Sequence, residues 1–172
     1  ADGPLASWFP YTWDASRPDR RAIAIAKMTA KPNFWAEMQE LIFGQDSELA
    51  AEALWLIEHL PTPSPAWIEP VTRFGQDIAQ RIRTVNATTV EQDPAYEGAA
   101  DVSIRFSAWM VAVRTLREKA NGDFTPELKT ILELSRVRPE SRAMNGTVCR
   151  VASYYMKEWT GLEPLPSDPK PR

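Results

Sequence analysis

The stretch Phe34–Leu60, FWAEMQELIFGQDSELAAEALWLIEHL, decides how this chain is read. Its first half has the apolar spacing of a helix and stops at Gly44, a residue type that favours helix ends. Asp46 marks a turn, and a second helix rich in alanine and leucine follows. There Leu49, Ala53, Leu56 and Leu60 recur at steps of 4, 3 and 4, and Ala50, Leu54 and Ile57 widen the stripe into a broad face to bury. The opposite stripe holds Glu48, Glu52, Trp55 and His59 at the same steps, so a tryptophan sits among polar residues. The run Pro61–Pro65, PTPSP, then breaks the chain.

Helical periodicity extends outward on both sides. Pro18 to Ala30 is predicted helical, with Ser16 as its N-cap, Asp19 in a capping-box-like position and Pro18 in the first turn. Pro32 ends that segment, and Asn33 is placed to cap the helix starting at Phe34. Downstream, a helix begins at Ser64–Pro65 or at Pro70, where a kink or late start is expected. Its core stripe is Val71, Phe74, Ile78, Ile82 and Val85. Asn86–Pro94 is a loop. From about Ala95 to Lys119, Val102, Phe106, Trp109, Met110, Val113 and Leu116 line one side of a helix, while Ile104, Ala108 and Val111 line the other. A helix apolar on both sides is buried on both, so it is expected to be central, and Asn121–Gly122 ends it. Thr125 and Pro126 form an N-cap and N1 pair for a helix to about Val137. A last helix runs from about Pro139 to Trp159 along Met144, Val148, Val151, Tyr155 and Trp159, with Gly161 as its C-terminal glycine. The fold class is all-α, with about seven helices.

The two ends differ from this body. Residues 1–17 hold Trp8, Phe9, Tyr11 and Trp13 among Gly, Pro and Ser, which is not a helix pattern. Each aromatic can bury about 150–250 Å², so the segment reads as a strap laid over the first helices, or else as a sticky binding segment. Residues 162–172, LEPLPSDPKPR, are expected to form an extended or disordered proline-rich tail, which leaves 18–161 as the helical domain.

Asp46 recurs as Asp93–Pro94 and, in degenerate form, as Arg138–Pro139, at spacings of 47 and 45 residues. That is the period of HEAT and armadillo-type repeats. On these residues Phe34–Leu60 resembles a HEAT repeat. Residues 65–118 and 124–160 resemble it loosely, without the usual Val-Arg after the turn aspartate. The resemblance implies a short HEAT-like α-solenoid whose second helices line a face that binds a protein or peptide. An irregular helical bundle is the alternative.

With 172 residues the chain is long enough to bury a sizeable core. No apolar run approaches the roughly 18 residues of a membrane span. Net charge is −3, which makes nucleic acid an unlikely partner, since phosphate neutralisation needs clustered Lys and Arg. Residues 1–72 carry five basic against ten acidic side chains, and residues 73–150 twelve against ten. The single cysteine, Cys149, permits no internal disulfide or Cys-based metal cluster and reads as a small buried hydrophobe. The first residue, Ala1, fits a terminus left by signal cleavage or a domain cut from a longer protein. The expectation is an exported, periplasmic domain or the soluble part of a membrane-associated bacterial protein.

His59 is the only histidine, which removes most His-dependent chemistry. No P-loop, dinucleotide fingerprint, G-x-S-x-G elbow, H-E-x-x-H or EF-hand loop occurs, so no catalytic residue, metal ligand or cofactor is assigned. Carboxylate pairs such as Glu48/Glu52 and Glu37/Glu40 have the spacing of exposed helix faces. The candidate partner-binding residues are Glu52, Trp55, His59 and Arg114. Against that stands the plainer reading that Trp55 packs on a neighbouring helix or the strap while His59 is solvated near the helix end. Arg136, Arg138, Arg142 and Arg150 form a candidate anion-binding group, or simply surface arginine.

The leading expectation is a non-enzymatic interaction or scaffold domain that binds a protein or peptide. One rival is an enzyme on a HEAT-like scaffold acting on nucleic acid, because Trp109, Asp101 and Arg105 resemble the residue types of HEAT-like DNA glycosylases. Periodicity, however, puts Trp109 in the core. The other rival is an accessory assembly domain of a larger exported or membrane-associated protein.

Overall fold

The computed structural model describes residues 3–13, 16–89, 91–137 and 144–162. These are all-α, with no strand among them. A 3-10 turn, Leu5–Trp8, leads into α1 (Phe9–Thr12), α2 (Pro18–Thr29), α3 (Phe34–Ile42) and α4 (Ser47–His59). A second 3-10 turn, Pro65–Trp67, precedes α5 (Ile68–Ala87). Then follow α6 (Glu97–Ala120), α7 (Thr125–Ser135), a π-helical stretch Met144–Cys149, and α8 (Arg150–Thr160). Among the described residues no helix is long and apolar enough to cross a membrane.

The chain divides into two compact units. The first comprises residues 1–74 and 108–122, hence the N-terminal segment, α1 to α4, the start of α5 and the second half of α6. Its core includes Phe9, Met28, Met38, Leu54, Trp67 and Trp109. Within it α3 and α4 pack as a helix–turn–helix pair, and α1 packs on both α2 and α4. Trp109 is 0% exposed, and its indole N–H donates to the Val71 carbonyl at 2.8 Å. A buried indole needs such a partner, so periodicity placed Trp109 correctly.

The second unit comprises residues 75–107 and 123–172. Its core includes Ile78, Ile82, Phe106, Leu128, Ile131 and Val148. Here α5 and α6 approach so closely at Gly98 that an added Cβ would lie 3.1 Å from Val85 Cγ2 and 3.4 Å from Asp93 Oδ2.

The turn aspartates act as backbone acceptors. Asp46 Oδ1 accepts from the N–H groups of Glu48 and Leu49 at 2.9 and 3.0 Å. Asp93 accepts from Glu97 and Gly98 at 2.9 and 3.1 Å. Both satisfy donors that a helix N-terminus leaves without an intrahelical partner. The third marker, Arg138–Pro139, and the expected helix start at Pro139 lie outside the described residues.

Several local expectations are corrected. Residues 5–12 are helical, because Leu5 and Phe9, four positions apart, are both buried and Pro10 falls in the first turn of α1, where no N–H partner is needed. Arg17, not Ser16, occupies the N-cap of α2. Asn33 is the N-cap residue of α3 but makes no side-chain cap bond there. Phe124, not Thr125, precedes α7, while Asp123 Oδ1 accepts from Thr125 N–H at 3.0 Å. Gly44 is not left-handed; its backbone lies so close to the Glu40 and Leu41 carbonyls that a Cβ would meet them at 3.1 and 3.3 Å. Among the described residues the left-handed ones are Gly161, which ends α8 as expected, and Asn121, which follows α6, together with Tyr96 before α6. α5 starts at Ile68 with Pro70 in its first turn. Ile104 is exposed, so α6 is not apolar-buried all round. The stripe of the last helix is only partly internal, since Met144 and Val148 are buried while Val151, Tyr155 and Trp159 are half-buried. Asn145, Gly146 and Thr147 are poor α-formers, and the backbone widens to π there. Cys149 is a free thiol and half-buried, not internal.

Candidate interaction site

The N-terminal segment is held at three points within the first unit. In the middle, Leu5 and Phe9 are buried, and Thr12 Oγ1 donates to the Phe9 carbonyl at 2.8 Å. At one end, Glu37 Oε2 accepts from the Leu5 N–H at 2.7 Å. Lys31 Nζ donates to the Gly3 carbonyl at 2.8 Å and pairs with Glu37 Oε1 at 3.0 Å. The hydrogen bond from Lys31, helped by the Leu5 amide, holds the Glu37 carboxyl below the ordinary glutamate range. At the other end Trp13 meets two rings edge-on, Trp55 at 5.6 Å and His59 at 5.5 Å.

That last contact lands on the stripe singled out from the sequence. Trp55 and His59 are brought together, and both are half-buried with Trp13 against them. His59 is therefore not simply solvated. Burial pushes its pKa down, opposed by Glu58 and assisted by Arg21 and Lys119. Glu52, one turn earlier on α4, is half-buried, and its pKa is raised by burial and then by Glu48 and Asp46. Arg114 stands exposed on α6 and is not among the charges acting on His59. The stripe thus forms a seat for the strap at Trp55 and His59.

Beside the strap lies a surface that the sequence reading passed over. A groove of about 190 Å³ is lined by Trp8, Tyr11, Arg20, Ile23 and Ala24. The Trp8 and Tyr11 rings stand 6.3 Å apart at 60°. Tyr11 is 54% exposed and Ile23 is 55% exposed, large values for apolar bodies on a helical face. Lys27 Nζ sits 5.7 Å from the centre of the Trp8 ring, a cation–π distance. On α2, Arg20, Ile23, Ala24 and Lys27 follow at steps of 3, 1 and 3, which places them on one side of the helix. The signal was present in the sequence: all five basic residues of the first 72 fall between Arg17 and Lys31, with Asp19 the one acid among them.

The arginine group is not assembled among the described residues. Arg136 closes α7 and is half-buried, Arg150 opens α8 and is exposed, and Arg138 and Arg142 lie outside the described residues. On α6, Asp101 and Arg105 are partners: Arg105, itself buried, donates from Nε to Asp101 at 3.1 Å. Arg81 also reaches Asp101, at 3.4 Å, and pairs with Asp77 at 2.6 Å. Asp101 and Arg105 are thus tied into an ion-pair network, and Trp109 is packed in the core. No group of three His, Cys, Asp or Glu side chains converges as a metal site among the described residues.

Compared with family models, with curated proteins and with solved structures, the chain matches none. Its function has to be argued from its own residues.

Proposed function

We propose that this chain is a non-enzymatic helical interaction domain that binds a protein or peptide partner. The observation that carries the reading is the groove between the N-terminal strap and α2, where Tyr11 and Ile23 keep more than half of their surface in water. Apolar side chains grouped in a groove with a charged rim are the usual make-up of a recognition surface. The elements beneath are fixed by burial of Leu5, Phe9, Ala24 and Met28, so the surface is preorganised. Of Glu52, Trp55, His59 and Arg114, two enter this reading as support, because Trp55 and His59 contact Trp13 at the end of the segment that forms one wall. An accessory role in a larger assembly is the same activity with the partner in that assembly.

The test is site-specific photocrosslinking in the source cells. A photoreactive residue at Tyr11 should give a discrete protein adduct, lost on Ile23→Glu, while the same residue at the exposed Tyr154 should not give that adduct. No adduct at Tyr11, or one indifferent to Ile23→Glu, would reject the proposal.

A further inference from the structure

Resting on that reading, we infer that the groove takes a short acidic peptide segment, with one large apolar side chain entering between Tyr11 and Ile23 and carboxylates meeting Arg20 and Lys27. Three properties of the site lead there.

Size comes first. About 190 Å³ lies below the roughly 300–1,000 Å³ of typical small-molecule and cofactor pockets. It suits a single side chain better than a bound cofactor. Its lining of indole, phenol and branched aliphatic surface favours an apolar anchor.

Charge comes second. The chain is acidic overall, yet Arg20 and Lys27 are exposed on α2, Arg17 is exposed at its N-cap, and Arg21 is half-buried on the helix. Among the described residues neither Arg20 nor Lys27 belongs to an ion pair. Lys31, by contrast, is already engaged by Glu37 and Gly3 and adds no charge for a partner. Asp19 is the acidic residue on this helix, and it does not line the groove. An acidic segment therefore meets complementary charge at the rim, which supplies orientation and association rate.

Geometry comes third. Arg20 and Lys27 are seven residues apart on α2, about 10 Å along the axis at 1.5 Å per residue. Ile23 lies between them. In an extended peptide, side chains on one face recur every second residue, about 6.6 Å apart. The fitting pattern is therefore acid, x, apolar, x, acid, with all three side chains on the groove side and the long Arg20 and Lys27 side chains spanning the remaining distance. A flat anionic membrane would also be drawn to these cations, but it has no single anchor to fill the groove.

The experiment is selection from a phage-displayed library of random linear peptides on the folded protein, with counter-selection on Ile23→Glu and on the Arg20→Glu/Lys27→Glu double variant. Circular dichroism and thermal melts of the variants establish that they fold; all three positions are exposed. The expected result is enrichment of peptides with a Leu, Ile, Phe or Trp bracketed by Asp or Glu. Their affinity should fall about tenfold or more for each variant, and also when the carboxylates become amides. Enrichment of neutral or basic peptides, no enrichment, or binding that survives Ile23→Glu overturns the inference. So does Ile23-dependent sedimentation with phosphatidylglycerol vesicles in place of peptide binding. If the Tyr11 crosslink persists while acidic peptides fail, the partner chemistry is wrong and the interaction surface stands. If both fail, the surface itself is wrong.

Discussion

Replacing Glu37 tests how the strap is held. The carboxylate accepts the Leu5 N–H at 2.7 Å and faces Lys31 Nζ at 3.0 Å. A hydrogen bond to a charged group is worth about 1.5–3 kcal/mol, and a partly exposed ion pair adds no more than about 1 kcal/mol. Glu37→Ala should therefore cost about 2–3 kcal/mol. The loss should stay local, because Leu5 and Phe9 remain buried and each contributes about 1.5–3 kcal/mol of apolar transfer energy. At about 1.4 kcal/mol per factor of ten, protection of the Leu5 amide in hydrogen-exchange NMR should drop roughly 30- to 100-fold, while amides beyond Phe9 change little. Glu37→Gln keeps an acceptor oxygen and should lose less. The effect is pH-dependent with a fixed sign. The folded carboxyl ionises below its ordinary value of 4.5, so its contribution is complete above that pH and fades as pH falls through the depressed folded value. Unchanged Leu5 protection in Glu37→Ala, or a pH profile that Glu37→Gln fails to flatten, would refute this account of the anchor.

Two further predictions concern the other end of the strap. Trp13→Ala and Trp55→Ala should each destabilise, and their double-mutant cycle in urea unfolding should show a coupling of about 0.5–1.5 kcal/mol for the edge-to-face pair; strict additivity would mean the rings do not interact in solution. Because burial lowers the His59 pKa below 6.5, stability should be undiminished above that pH and decline as pH falls from it through the folded value. His59→Gln should remove this decline from the urea midpoint measured against pH, and a retained decline would assign it to another group.

Much of the fold was legible because its signals are local. The spacing of Leu49, Ala53 and Leu56 specifies a helix face without knowledge of its neighbours, and Asp46 and Asp93 announce helix starts through bonds to nearby amides. The form of the N-terminal segment was not legible. Pro10 and Gly3 lower local helix propensity, and the helical turn over residues 5–12 exists because Leu5 and Phe9 find a core assembled from distant sequence. The site was harder still. Trp55 drew attention as an aromatic on a polar stripe, but its partner Trp13 is 42 positions away and no periodicity could link them. The groove residues were obscured by averaging, since a net −5 over residues 1–72 hides a basic segment from Arg17 to Lys31. Caps at Arg17 and Phe124 shifted by one residue because backbone geometry, not residue preference, decided where each helix begins.

The close approach at Gly98 has an energetic consequence. With Val85 Cγ2 at 3.1 Å and an Asp93 oxygen at 3.4 Å from where a Cβ would sit, a side chain at position 98 requires the Val85 side chain to give by a few tenths of an ångström. Substitutions at positions 85 and 98 of this chain are therefore expected to be energetically coupled.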